Sequence, residues 1–291
     1  MNELTASYND SFSKELNDSK LHAGQRFVAQ KMRDILENGN VLKNRNDHLF
    51  NKEHIEGQEF FSEKVQEYYS LRCVPQIIGP IYDAFCTAKK VVEDEINSAN
   101  DNPIVCVASK SVYHGGNFHG DYIAFEMDKI KIGVTKLSML AERQINYLLN
   151  NKLNHKFPPF LNVGQLGFNF GLQGMQFTAV STTAENQTLS NPMYVHSIPN
   201  NGDNQDIVSM GTNAALMTQK VIDNTFEVLT VQLVAIAQAI DIDKSFSKLS
   251  ESSKELYNFV RESVPEIIED KPNYKELATL KAALISSNKS L

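Results

Sequence analysis

Tyr69 and Arg72 stand three residues apart in Val65-Gln66-Glu67-Tyr68-Tyr69-Ser70-Leu71-Arg72, so a helical turn would set phenol and guanidinium on one face. Arginine suits a carboxylate through two parallel charge-assisted hydrogen bonds, and a tyrosine with a lowered pKa can serve as acid or base. The pair could hold an acid group and move a proton; the plain alternative is a capped turn with the arginine in a solvated ion pair. A second cluster, Tyr113-His114-Gly115-Gly116-Asn117-Phe118-His119-Gly120-Asp121, sets histidines and glycines directly before a strongly periodic helix. Loops feeding helix N-termini are natural binding positions, although glycines that merely permit a tight turn explain the pattern equally well. His114 and His119 do not share a helical face and have no third ligand nearby in sequence, so no metal site is expected. No GK[ST] follows, which removes a phosphate loop. Asn200-Asn201-Gly202-Asp203-Asn204-Gln205-Asp206 crowds amides ahead of another helix, either as N-caps or as groups that orient a polar substrate. Ser98-Ala99-Asn100-Asp101-Asn102-Pro103 has the same two readings, an Asx-turn helix stop or the wall of a site.

The elements that must position these residues are helical. Ile123, Met127, Ile130, Val134, Leu137, Ala141, Ile145 and Leu148 recur at three/four spacing, which predicts one helix from Asp121 to about Asn150. Ile222, Phe226, Leu229, Leu233, Ile236 and Ile240, beside a second row through Met210, Ala214, Met217 and Val221, predict another from Asp206 to about Asp241. A helix apolar on more than one side must be surrounded, and too few other long helices are present to do it, so packing against other subunits is expected. Shorter helices are expected at about 22–37, 76–98, 171–189, 250–263 and 274–287, with turns at Asn38-Gly39-Asn40, Pro158-Pro159 and Ile198-Pro199-Asn200. Alternating strand patterns, repeats and flexible linkers are nearly absent, which gives an all-α fold in one domain over 1–291.

Composition narrows the partners. The chain has 291 residues, 42% of them hydrophobic and 22% charged, with a net charge of −7. This excludes disorder as the main state and disfavours nucleic acid or an anionic membrane as principal partner. Cys73, Cys86 and Cys106 are odd in number, far apart and without zinc-ligand spacing, as expected in a reducing cytoplasm. No basic-plus-apolar leader and no uninterrupted apolar run of about 18 residues is visible, so neither secretion nor a membrane span is expected.

Taken in order, SANDNP, GGNFHGD, LAERQ, FPPF, STTAENQTLSNP, IPNNGDNQDIVSMGTN and AIAQAID resemble the aromatic amino acid and histidine ammonia-lyase family along essentially the whole chain. Within that family the chain is most similar to bacterial tyrosine ammonia-lyases. The resemblance implies a long-helix bundle of the ammonia-lyase (fumarase/aspartase-like) type, with core helices shared between subunits of a homotetramer. It implies elimination of ammonia from tyrosine or phenylalanine, giving 4-coumarate or cinnamate. By matching motif, Tyr69 resembles the family tyrosine that assists proton transfer, with Gln66 beside it, and Arg72 resembles the arginine that grips the substrate carboxylate. Phe118 and its neighbour Asn117 correspond to residues near the family's electrophilic prosthetic group. Asn204 and Gln205 resemble the substrate-binding amide pair of the phenylalanine and tyrosine lyases. The histidine branch typically carries Glu at the Gln205 position and a following Asp-His, whereas Asp206-Ile207 follows here.

That family's electrophile, 4-methylidene-imidazol-5-one (MIO), forms by cyclisation of Ala-Ser-Gly. Ala6-Ser7 precedes Tyr8, Ala108-Ser109 precedes Lys110, and the tripeptide occurs nowhere in the chain. The family's N-terminal tyrosine base and Asn-Gly-Thr segment have no counterpart either, so the resemblance implies the C-terminal half alone, without the cofactor-bearing half. The chain is expected to be inactive alone and completed by a chain carrying the N-terminal half. Loss of that half would also expose apolar surface, favouring aggregation or tight partnering. The alternatives are a noncatalytic or truncated structural subunit, an aminomutase that re-adds ammonia at the β-carbon, and a histidine ammonia-lyase. A fumarase/aspartase-type lyase fits less well, because its Gly-Ser-Ser and Met-Pro-x-Lys loop is missing.

Overall fold

In the computed structural model, residues 1–50 and 65–287 are described. Residues 51–64 and 288–291 of the expected 1–291 domain lie outside the described residues. The helices are α1 (Lys14–Asp18), α2 (Ala23–Leu36), α3 (Tyr69–Arg72), α4 (Val74–Ile96), α5 (Asp121–Leu149), α6 (Asn151–Asn154), α7 (Gln173–Leu189), α8 (Gly211–Asp243), α9 (Glu251–Arg261) and α10 (Tyr274–Ser286). The described residues are mostly helical, at 62% helix and 4% strand. The periodic stretches therefore form the long helices expected, with ends displaced by a few residues. The expected strand-poor pattern overlooks one antiparallel pair, β1 (Ile104–Cys106) with β2 (Ser111–Tyr113). Three-residue strands are too short to show an alternating pattern.

The core is the seam between α5 and α8. Thr218 Oγ1 donates to the Met127 carbonyl at 2.9 Å, Thr225 Oγ1 lies 3.5 Å from the Val134 carbonyl, and Gln232 Nε2 donates to Gln144 Oε1 at 2.5 Å. Partner numbers rise together along both helices, so α5 and α8 run parallel. Ile145, Leu148 and Leu149 pack in one buried cluster with Val228, Val231, Val234 and Ala235. The chain must return between them, and α7 does so: Thr135 Oγ1 approaches the Asn186 carbonyl at 3.3 Å while Gln176 reaches Asn146, an antiparallel pairing. On the other flank α4 runs against α5, with Ala88 meeting Ile130 and Val134. α2 lies on α4 at unusually close range, since a Cβ at Gly24 would stand 2.2 Å from the Gly79 carbonyl oxygen.

By length and composition α8 could cross a membrane, but 56% of its apolar window is buried inside the fold and Thr218, Asn224, Thr225, Thr230 and Gln238 are buried along it. It is a core helix. Asn186, fully buried, donates through Nδ2 to Thr225 Oγ1 at 3.1 Å and accepts through Oδ1 from Asn224 Nδ2 at 3.0 Å. Asn186→Ala removes one hydrogen bond from each of two buried partners, while Asn224 keeps Glu185 and Thr225 keeps the Val221 carbonyl, so the unfolding free energy should fall by about 1–2 kcal/mol. Urea denaturation checks this, and a loss within measurement error would show that the network is dispensable.

Candidate active site

The expected site residues gather at opposite poles of the α5/α8 pair. Because the two helices are parallel, their N-termini share one end, and a Cβ at Gly211 would lie 3.2 Å from the Gly120 carbonyl oxygen. The loops before them are bonded there: Gly120 N–H donates to Ser209 Oγ at 3.1 Å, and a His119 ring nitrogen lies 3.4 Å from the Ile207 carbonyl. The SANDNP segment joins them, as Asn102 Oδ1 accepts the Gly115 N–H at 2.8 Å. Asn117, Phe118, Asn204 and Gln205 are all exposed at this pole.

The amide cluster is shaped by its own turn. Asn200 and Gln205 exchange backbone hydrogen bonds at 3.1 and 3.4 Å, closing a loop in which Asn201, Gly202 and Asp203 have φ of 54°, 64° and 63°. Gly, Asn and Asp are the residues that tolerate this left-handed backbone. The reading of these amides as N-caps of the long helix is thereby corrected: the helix starts at Gly211, its N-cap residue is Met210, and Asn204 and Gln205 stand on a separate loop.

At the other pole α3 carries Tyr69 and Arg72 on one turn, with the Arg72 guanidinium 4.7 Å from the Tyr69 ring centroid. Tyr69 is 70% exposed, and Arg72 is half-buried. Arg72 Nε donates to the Glu67 carbonyl at 3.0 Å. No carboxylate among the described residues forms an ion pair with Arg72, although the glutamate next to Gln66 is close in sequence: the Glu67 carboxylate accepts the Tyr8 N–H at 3.2 Å instead. Gln66 is exposed just ahead of the turn. The segment is pinned from behind, since Asn2 Nδ2 donates to the Leu71 carbonyl at 3.0 Å and Gln144 Nε2 to the Ser70 carbonyl at 2.6 Å. Tyr68 meets Tyr147 edge-on at 5.7 Å, and burial pushes the Tyr147 phenol pKa up, with Tyr68 and Glu67 acting in the same direction.

Between Asp121, beside the glycine loop, and Gln144, beside α3, α5 advances roughly 35 Å at the ordinary helical rise. One chain therefore sets Tyr69 and Arg72 on one turn with Gln66 just ahead of it, places the loops that carry Asn117, Phe118, Asn204 and Gln205 before the neighbouring starts of α5 and α8, and does not join the two groups. Among the described residues no three His, Cys, Asp or Glu side chains cluster as metal ligands. Cys73, Cys86 and Cys106 are free thiols.

Residue spacing did not disclose the supports behind these surfaces. Lys131 is fully buried, with its ammonium 2.7 Å from Asp128 and donating to the Asn191 carbonyl at 2.8 Å, while Asp128 accepts the Tyr194 N–H at 2.7 Å. The pair ties the start of the amide-bearing connection to α5. Polar residues inside an apolar stripe, at 128, 131, 144 and 232, were the available signal.

The family model described as aromatic amino acid lyase matches residues 1–262. An MIO-dependent tyrosine 2,3-aminomutase from Streptomyces globisporus is 40% identical over 84% of this chain and 46% of its own length. A tyrosine ammonia-lyase from Cupriavidus metallidurans is 38% identical over 76% of this chain and 41% of its own length. The solved phenylalanine aminomutase of Pantoea agglomerans superposes with a TM-score of 0.93 at 30% identity, over 99% of this chain and 56% of that one. The chain thus spans about half the length of the curated relatives it matches, and aminomutases match it as well as a lyase does.

Lys131→Met leaves the Asp128 carboxylate buried without its cation, so stability should fall by about 3–5 kcal/mol. Denaturant titration measures this. A loss below about 1 kcal/mol would mean that the pair does not hold the 190–194 connection.

Proposed function

The chain belongs to the aromatic amino acid lyase family, and on that premise we propose that it contributes two part-sites to an enzyme eliminating ammonia from tyrosine or phenylalanine to give 4-coumarate or cinnamate. The observation behind this reading is that the half-buried Arg72 guanidinium forms no ion pair with a carboxylate among the described residues, beside an exposed Tyr69 on the same turn. A guanidinium of that kind is suited to the substrate carboxylate, and the adjacent phenol to moving a proton, with Gln66 at its edge. Asn204 and Gln205 offer amide donors and acceptors to orient the substrate. Phe118 and Asn117 would face the prosthetic group.

Elimination needs an electrophile, because the β-proton is barely acidic and the amine a poor leaving group. MIO does not fit residues 1–291 by themselves, because Ala-Ser-Gly, from which it forms, is absent from their sequence. We assign that group to polypeptide outside residues 1–291, and 1–291 to the C-terminal, mostly helical part of the enzyme. Assembly would also resolve the geometry, since surfaces roughly 35 Å apart on one α5 helix can meet surfaces from other copies, in a homotetramer or in a complex with a chain carrying the N-terminal half. Exposed Phe168, Phe170 and Phe177 are apolar surface suited to such packing. A second reading, aminomutase chemistry at the same residues, is favoured by the relatives named aminomutases, and it differs only in returning ammonia to the β-carbon.

The purified chain incubated with L-tyrosine should form no 4-coumarate, and co-expression with a polypeptide bearing Ala-Ser-Gly should restore product. A β-amino acid product would select the aminomutase reading. Product from the chain alone would refute the division of labour, and none from the pair would refute the catalytic reading. In the active assembly Arg72→Ala should lower kcat/KM by about a hundredfold or more, as expected for loss of a charged carboxylate partner. Tyr69→Phe should chiefly lower kcat. Near-normal kinetics for either variant would remove that residue from the mechanism.

A further inference from the structure

We propose that Gln144 and Gln232 are positioning residues for Arg72 and Tyr69, acting through a directional amide relay that ends on the Ser70 carbonyl. The inference rests on the reading of Arg72 and Tyr69 given above. A four-residue helix such as α3 has no independent stability, so the aim of its side chains is set by whatever its backbone docks against. On the core side that is α5. Gln144, 7% exposed, donates through Nε2 to the Ser70 carbonyl at 2.6 Å, between the two reactive residues.

The amide of Gln144 has one accepting and one donating end, and only one orientation supports α3. Gln232 on α8 donates to Gln144 Oε1 at 2.5 Å, which commits the accepting end and leaves the donating end toward Ser70. Were Gln144 reversed, its oxygen would face a carbonyl and the Gln232 amide would face another donor. Three residues further along the same face of α5, Tyr147 packs against Tyr68, so one rigid helix braces both sides of the turn. Neighbouring Ile145, Leu148 and Val231 lie in the apolar core, where amides are costly to bury unless bonded to each other or to backbone. The relay meets that condition and links the turn to both long helices.

Gln232→Glu keeps the shape but replaces the donor with an acceptor, so the Gln144 amino group should turn toward α8 and release Ser70. In hydrogen–deuterium exchange of the full chain, residues 66–73 should then exchange about tenfold faster while α7 and α8 remain unchanged. Gln144→Leu should produce the same local rise, and the double variant should exceed neither single change. Gln232→Lys, which restores a donor, should return exchange to the wild-type rate. In an active assembly Gln232→Glu should raise KM for tyrosine about tenfold with a smaller change in kcat, through misplacement of Arg72. Unchanged exchange at 66–73 in both Gln232→Glu and Gln144→Leu would overturn the relay, as would acceleration spread evenly over α5 and α8. Absence of turnover in the wild-type assembly would instead count against the functional reading, with the exchange data still deciding the relay.

Discussion

Two long helices lying parallel, α5 and α8, impose the constraint from which the rest of the molecule follows. Consecutive helices joined by a short turn run antiparallel, so a parallel pair requires a return segment, and α7 with its flanking connections supplies it. Parallel packing also brings both N-termini to one pole. The loops that precede them therefore touch, His119 and Gly120 meeting Ile207 and Ser209, although they are far apart in sequence, while α3 docks near the opposite end of α5. The division of the candidate site into two surfaces is thus a consequence of helix direction and length.

The seam is sealed by apolar side chains and placed in register by polar ones. Ile145, Leu148, Val231 and Val234 supply non-directional burial, which tolerates small slips along the helix axis. Thr218, Thr225 and Asn186 bond to particular partners, and a slip of one turn would break those cross-helix bonds, leaving the two threonines only the carbonyls of their own helix and the buried Asn186 amide without its partners. The Asp128–Lys131 pair extends the same logic to the connection after α7, binding the chain near Asn191 and Tyr194 to α5. Such groups add little net free energy, but their unpaired states are costly, so they specify one arrangement.

An open site follows from the same geometry. Tyr69 and Phe118 are 70% and 53% exposed, and a guanidinium on an open surface grips a carboxylate weakly because water competes for it. Enclosure by neighbouring chains would exclude that water and strengthen the contact. Phe168, Phe170 and Phe177 around the start of α7, with Tyr122, Phe125 and Ile132 on α5, leave apolar surface exposed in the single chain.

The residue pattern alone determined the helices: three/four periodicity over more than twenty residues fixes α5, and α2, α4, α7, α9 and α10 lie within a few residues of the stretches expected between turn and proline signals. It also pointed to Tyr69 with Arg72, whose three-residue spacing needs only one turn of helix to become a pair. The β1–β2 hairpin was illegible because each strand is too short to alternate, and the start of α8 was misjudged because the amides close their own loop at Asn200 and Gln205 instead of capping the helix. What only the tertiary structure decided is which motifs meet. The parallel direction of α5 and α8, the separation of Arg72 from Gln205 and the bracing of Ser70 by Gln144 and Gln232 depend on long-range contacts, and a local pattern of residue types carries no information about the partner across such a contact.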